Sequence, residues 1–412
     1  MTKMVDLRNY IVVTTAYWGF TLTDGALRML VLLHFHTLGY TPLELALLFL
    51  LYEFFGVVTN LLAGWIGARF GLKLTLYCGL GLQVFALSML SMLDPAWEKV
   101  LAVAFVVAAQ GLSGIAKDLT KMSSKSAIKL VVPDDAHSAL FKWVALLTGS
   151  KNALKGVGFF MGAALLAGLS FVHALWAMAA GLMIILAASV ALLPSDMGKA
   201  KAKVKFTKIL SKTRAINLLS AARFFLFGAR DVWFVVGVPI FLHEVIGWGF
   251  MQVGTFMACW VIGYGGVQAL APKVIRRSFD GRSSETRAAQ WWAFVLAALP
   301  IAIAGLVEIN DAPATVVVIG LALFGVVFAI NSSVHSYLIL SLSDSDKVAL
   351  NVGFYYMANA GGRLVGCLLS GLSYQLWGLT GCLATASAML SAAGVITIIL
   401  AGEQQGEAAV KA

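Results

Sequence analysis

Apolar runs long enough to cross a membrane recur along the whole chain, separated by short polar stretches. A helix that spans a ~30 Å hydrocarbon core needs about 20 mainly apolar residues. About twelve such segments are predicted, at 10–36, 43–66, 74–93, 99–118, 139–168, 172–193, 215–241, 251–271, 289–307, 314–340, 349–373 and 379–400. Pro42, Pro95, Pro133, Pro194, Pro272 and Pro313 fall at segment ends or in the breaks, where chain-breaking residues belong. The stretch from Tyr10 to Phe35 is too long for a signal-peptide core and no small-residue cleavage site follows it. It is expected to stay as the first transmembrane helix.

The polar breaks carry the charge. With a cytoplasmic N-terminus, the inside stretches hold Lys3, Arg8, Arg69, Lys73, Lys117, Lys121, Lys125, Lys129, the run from Lys199 to Arg214, Lys273 to Arg287, Lys347 and Lys411, whereas the outside loops hold Lys99 alone. That asymmetry predicts an inner-membrane protein with both termini in the cytoplasm. The net charge of +10 then reads as topology and attraction to anionic lipid rather than nucleic-acid binding. Composition agrees: 60% of residues are hydrophobic and 12% charged, against about 25% charged in soluble domains. An all-α membrane protein with little room for a soluble domain is expected.

Residues 194–214 are polar and basic, and divide the chain into 1–193 and 215–401, followed by a tail at 402–412. The two halves echo each other. Leu38-Gly39-Tyr40 parallels Ile246-Gly247-Trp248, and Ala139-Leu140 with Gly156 parallels Ala349-Leu350 with Gly366 at an offset of about 210. Two six-helix repeats joined by a cytoplasmic linker resemble the layout of major facilitator transporters. Gly64-Trp65-Ile66-Gly67-Ala68-Arg69-Phe70-Gly71-Leu72-Lys73 is similar to that superfamily's G-x-x-x-D-R-x-G-x-K signature. Ala68 stands where the signature has aspartate, which removes the acid from any gating ion pair there. Around Ala271 to Arg277 the second-half counterpart is reduced to a basic loop. Gly156, Gly158 and Gly162 suit close helix packing.

Six cations lie near the middle of, or deep within, apolar segments: Arg28, Lys151, Lys155, Arg223, Arg230 and Arg363. Each costs roughly 2.5–3.5 kcal/mol at the bilayer centre. The deep acids are Asp24, Glu53 and Asp231, so the cations are in excess. Lys151 and Lys155 repel each other across one helical turn unless an anion lies between them. The arrangement predicts a site for a multiply charged oxyanion such as a phosphate ester, with arginine offering paired donors and lysine a point charge. The alternative is that these cations only pin helices together, as Asp24–Arg28 and Arg230–Asp231 pairs would. Lys151, Lys155 and Arg363 have no acid nearby in sequence, and the repeat offset sets Arg363 level with Lys151 and Lys155. Asp24, Glu53 and Asp231 are candidates for charge balance or proton coupling. Lys117, Lys121, Lys125 and Lys129 form a basic stripe, read either as a positive-inside flank or as a cytoplasmic funnel for anions.

Cys78, Cys259, Cys367 and Cys382 are scattered over four segments with no metal-ligand spacing, so no metal or cofactor is expected. No phosphate-binding Gly-x-x-x-x-Gly-Lys-[Ser/Thr] loop occurs, which argues against ATP-driven pumping. Without a nucleophile motif or an added signalling domain, an intramembrane enzyme or receptor-like sensor is a remote alternative.

Three runs carry a narrower resemblance: Ala16 to Leu30 (AYWGFTLTDGALRML), Leu51 to Gly56 (LYEFFG) and Gln110 to Lys125 (QGLSGIAKDLTKMSSK). They resemble the ArsJ-type organoarsenical efflux permeases. The resemblance implies export of 1-arseno-3-phosphoglycerate, which forms when glyceraldehyde-3-phosphate dehydrogenase takes arsenate in place of phosphate. It also implies a functional partnership with that dehydrogenase in arsenate resistance. Scattered cysteines suit a pentavalent ester rather than trivalent arsenic, which calls for converging thiolates. An importer or exchanger of ordinary organophosphates is the alternative, and a monomer is expected in either case.

Overall fold

A computed structural model describes the backbone of residues 2–131, 137–194, 213–278, 282–342 and 348–411. The described residues are almost wholly helical. In chain order the α-helices are α1 (Thr2–Thr37), α2 (Pro42–Leu48), α3 (Leu50–Ser91), α4 (Lys99–Val131), α5 (His137–Gly168), α6 (Phe171–Leu192), α7 (Arg214–Val232), α8 (Val238–Ile240), α9 (Phe250–Ser278), α10 (Arg282–Ile309), α11 (Pro313–Ser341) and α12 (Val348–Lys411). Two π-helical stretches, Trp233–Gly237 and Phe241–Val245, flank α8.

Local chemistry starts several of these helices. Thr41 and Glu44 make a reciprocal capping box at α2 with Pro42 in its first turn. Ser170 caps α6 through the His173 N–H, and Thr213 caps α7 through the Ile216 N–H. Such caps satisfy donors that the first turn leaves over. Nine stretches among the described residues are long and apolar enough to cross a membrane. The longest, Asn351–Glu403, holds two of the predicted segments. Trp377 and Gly378 (φ 61°) break its helical geometry between them. α3 likewise carries two membrane-length stretches, Pro42–Asn60 with α2 and Lys73–Ser91. α1 and α5 are 36 and 32 residues long, ample for a crossing, and carry the polar residues of the site.

Several expectations fall elsewhere. Pro272 lies inside α9 instead of after it. Linker residues 195–212 and Pro133 lie outside the described residues, as do the side chains of the Gly64–Leu72 signature, of Lys125 and Lys129, and of the basic stretch 271–285.

The chain forms two compact units. Unit 1 comprises Met1–Leu38, Leu51–Phe206 and Phe250–Ile262, and unit 2 comprises Gly39–Leu50, Thr207–Gly249 and Gly263–Ala412. In unit 1, α1 packs against α4, α5 and α6. In unit 2, α7 packs along α12, which also meets α2 and α10. Eighteen consecutive apolar-rich residues within Arg214–Val245 are 83% buried, against 28% for eighteen within Phe171–Leu192. The first is therefore a bundle core and the second a lipid-facing helix.

Glycines set the closest approaches. A Cβ on Gly25 would lie 2.7 Å from the Lys155 carbonyl, one on Gly158 2.5 Å from that of Leu22, and one on Gly162 would collide with the Ala26 carbonyl. In unit 2, Gly362 and Gly366 press in the same way on the backbone of Phe224 and Gly228. Only small residues let two helix backbones meet like this. The matching contacts relate Gly158 to Gly362 and Gly162 to Gly366, both at an offset of 204, and the Leu22 and Ala26 backbone they press on to Phe224 and Gly228, both at 202. That corrects the offset of about 210 read from sequence identities. Arg363 falls level with Phe159, and Lys155 with Asn359. Gly39 and Gly247, with φ of 80° and 77°, keep the expected echo at an offset of 208.

Candidate functional site

Each unit gathers its own cluster of buried charge. In unit 1 the centre is Tyr52 at the start of α3. Its hydroxyl donates to Asp24 Oδ1 at 2.6 Å, the Lys117 ammonium sits 3.8 Å from its ring centroid, and the Arg28 guanidinium carbon lies 5.5 Å away. Arg28 donates to Glu53 Oε1 at 2.9 Å, with side chains 11% and 1% exposed. Lys155 Nζ is 4.0 Å from Asp24 Oδ2. α1, α3, α4 and α5 thus present three cations to two carboxylates around one aromatic ring.

These pairings correct the local reading. Asp24 and Arg28 occupy adjacent turns of one face, yet Asp24 takes Tyr52 and Lys155, and Arg28 takes Glu53. Lys155 has an acid after all, supplied from α1. Lys151, half-buried one turn earlier on α5, lies beside Ser150, whose hydroxyl accepts from Trp18 Nε1 at 3.0 Å.

Further along α4 lies a second unit 1 network. Lys121 Nζ donates to Asp118 Oδ1 at 2.9 Å and to Asn60 Oδ1 at 2.8 Å. Thr59 Oγ1 donates to Asp118 Oδ2 in a very short contact. Asp118 is 1% exposed. In the sequence it sits between Lys117 and Lys121, in a stretch that reads as a plain basic flank. Lys121 is therefore tied to α3 and to its own helix.

Unit 2 is organised on Asp231, the one buried carboxylate among its described residues. Arg230 Nε donates to Asp231 Oδ1 at 2.7 Å and its Nη2 to the same oxygen. Arg363 Nε donates to Asp231 Oδ2 at 3.0 Å. Arg363 thus also finds an acid, from α7. Arg230 rests near the rings of Phe227, Phe234 and Phe328, at 5.0, 5.7 and 5.8 Å. Arg223, 4% exposed, is held by neutral groups: Nε donates to Asn359 Oδ1 at 3.0 Å, and Nη1 to the Ser332 carbonyl and hydroxyl at 3.1 Å each. Its guanidinium carbon stands 3.9 Å from the Phe227 ring centroid and 5.0 Å from that of Tyr355. Both neutral partners, Asn359 and Ser332, come from other helices more than 100 residues away, so no spacing around Arg223 points to them.

Just beyond Asp231 the helix loosens. The Val236 and Gly237 N–H groups donate to Ser370 Oγ at 3.1 and 3.2 Å, so α12 supplies an acceptor where the π-helical stretch changes the ladder. π-Helical turns are frequent at functional sites.

The arrangement suits electrostatics rather than bond-making. Cations on several helices are spaced by aromatic rings and share few carboxylates, which fits recognition of an anion with more than one charged end.

Comparison with known proteins gives the family and the fold. The Major Facilitator Superfamily profile matches residues 10–366. Among solved structures, the chain resembles a POT family transporter in complex with a thioalcohol-conjugated peptide (12% identity, 95% of each chain covered, TM-score 0.75). It also resembles a mutant of the nucleoside transporter NupG (14% identity, 98% of this chain and 99% of that one, TM-score 0.71). A bacterial homologue of the iron transporter ferroportin in its inward-facing state is similar too (13% identity, 97% and 98% covered, TM-score 0.70). At these identities the likeness is one of fold. A search of curated proteins found no match.

Proposed function

Because the chain belongs to the Major Facilitator Superfamily and is a multi-pass secondary transporter rather than an enzyme, we propose that its passenger is an organic anion with two charged ends. The specific reading is efflux of 1-arseno-3-phosphoglycerate from the cytoplasm by alternating access, conferring arsenate resistance. One observation carries it: in unit 2 Arg230 and Arg363 share the carboxylate of Asp231, the one buried carboxylate among the described residues there, while Arg223 is held by neutral groups. A buried cation held only by neutral groups, as Arg223 is, gains most from an incoming anion. The resemblance of the three motif runs to ArsJ-type permeases supplies the arsenical.

In this reading Arg28, Lys151 and Lys155 in unit 1 and Arg223, Arg230 and Arg363 in unit 2 are the anion ligands. Asp24, Glu53 and Asp231 hold those cations in place and are candidates for carrying a proton. Lys117 and Lys121 belong to the cytoplasmic approach. The protein works as an inner-membrane monomer with both termini in the cytoplasm, beside a glyceraldehyde-3-phosphate dehydrogenase that makes the ester.

The test is arsenate resistance in a sensitive host that co-expresses the dehydrogenase. The wild-type protein is expected to restore growth. Arg363→Gln and Lys155→Gln are expected to abolish that growth with membrane levels unchanged. Full resistance in both variants overturns the site. No resistance from the wild type, together with uptake of labelled phosphoglycerate into vesicles, moves the passenger to ordinary organophosphates.

A further inference from the structure

Two cavities at the N-terminal end of α1 belong to neither charged cluster. One, of about 440 Å³, is lined by Leu7, Arg8, Ile11, Val12 and Leu192. The other, of about 180 Å³, lies between α1 and α5 and runs from Tyr10 and Ile11 to Trp18. Ile11 borders both, so they read as one groove along α1. Leu7 and Ile11 are 40% and 53% exposed, so the groove opens on the outer surface of unit 1.

We propose that this groove binds one anionic phospholipid. Its phosphate would sit at Arg8 and one acyl chain would lie along Ile11 towards Trp18. Three observations support that occupant. First, the walls are nearly all apolar while the mouth carries an exposed arginine, the charge pattern of a headgroup above a chain. Second, Lys73 holds a second ammonium at the same end, donating to the Leu193 and Pro194 carbonyls at 3.1 Å each, next to the wall residue Leu192. Third, the length fits. Ten residues of helix from Arg8 to Trp18 rise about 15 Å, half of a ~30 Å hydrocarbon core and thus the depth of one leaflet. The site sits apart from the anion ligands and does not depend on which passenger is carried. It does touch the helix pair that positions them, because the groove ends where Trp18 donates to Ser150 at 3.0 Å.

Native mass spectrometry of the full-length protein in detergent, titrated with phosphatidylglycerol or phosphatidylcholine, tests this. A basic residue at a membrane surface is worth about 1 kcal/mol toward anionic lipid, a roughly fivefold preference. The wild type is expected to show at least that preference, Arg8→Gln to lower it by about fivefold while still binding both lipids, and Arg8→Gln with Lys73→Gln to erase it. Ile11→Trp fills the groove and is expected to reduce binding of both. Leu192→Trp fills it from the opposite wall and serves if the first variant fails to fold. Free glycerol phosphate is expected not to compete. Equal binding of the two lipids by the wild type, unchanged binding in the folded groove-filled variants, competition by free glycerol phosphate, or a second protein copy held in place of lipid would each overturn the proposal.

Discussion

Removing the carboxylate of Asp231 while keeping its shape is the sharpest test of how unit 2 holds its charge. Asp231 is 1% exposed and binds Arg230 and Arg363, themselves 15% and 17% exposed. Asp231→Asn leaves two guanidinium groups without their shared counter-charge. Breaking a buried ion pair from one side costs about 3–5 kcal/mol. The rings around Arg230 offset part of that, at about 0.5–1 kcal/mol for a partly exposed cation–π contact. The expected loss is therefore near the lower end, about 3 kcal/mol. Reversible unfolding in detergent measures it, in a cycle with Arg363→Met. The double variant is expected to recover at least about 1.5 kcal/mol relative to the sum of the two single changes, the size of a hydrogen bond to a charged group. A loss under about 1 kcal/mol for Asp231→Asn, or simple additivity of the two changes, refutes the reasoning.

Outcomes at four further positions are expected. Gly158→Ala, whose Cβ would lie 2.5 Å from the Leu22 carbonyl and 3.1 Å from Gly25 Cα, should cost about 1–3 kcal/mol. Gly149→Ala, with nothing within 4 Å of its Cβ, should be neutral or slightly stabilising by thermal unfolding. Tyr52→Phe keeps the ring under Lys117 and loses only the bond to Asp24, for about 1.5–3 kcal/mol; Tyr52→Leu should lose about 0.5–2 kcal/mol more with the cation–π contact. Ser370→Ala removes the acceptor for the Val236 and Gly237 N–H groups, and hydrogen exchange at those two amides should accelerate roughly five- to tenfold for about 1 kcal/mol lost.

The apolar runs, the Arg230–Asp231 neighbours and the packing glycines of α5 were all legible in the sequence, because each is a pattern along one helix. Partners across helices were not. Spacing suggested Asp24 with Arg28, yet Arg28 finds Glu53, 25 residues away, and Arg363 finds Asp231 across 132. Which carboxylate a cation reaches is decided by how two helices meet, and here glycine backbones set that meeting. The same contacts gave repeat offsets of 202 and 204 that matching letters had placed near 210. Asp118 escaped notice because the lysines flanking it supplied a sufficient explanation for the whole stretch. Its burial against Thr59 is a property of the α3–α4 contact alone.

Where α1 meets α5, and again where α7 meets α12, main chain lies against main chain with no side chain between to act as a cushion. Neither couple has the slack to slide or roll internally, so each turns as one lever. A displacement at Lys155 or Arg363 is therefore shared with the companion helix through these glycine contacts, and any substitution that adds a Cβ there must move both helices of the couple.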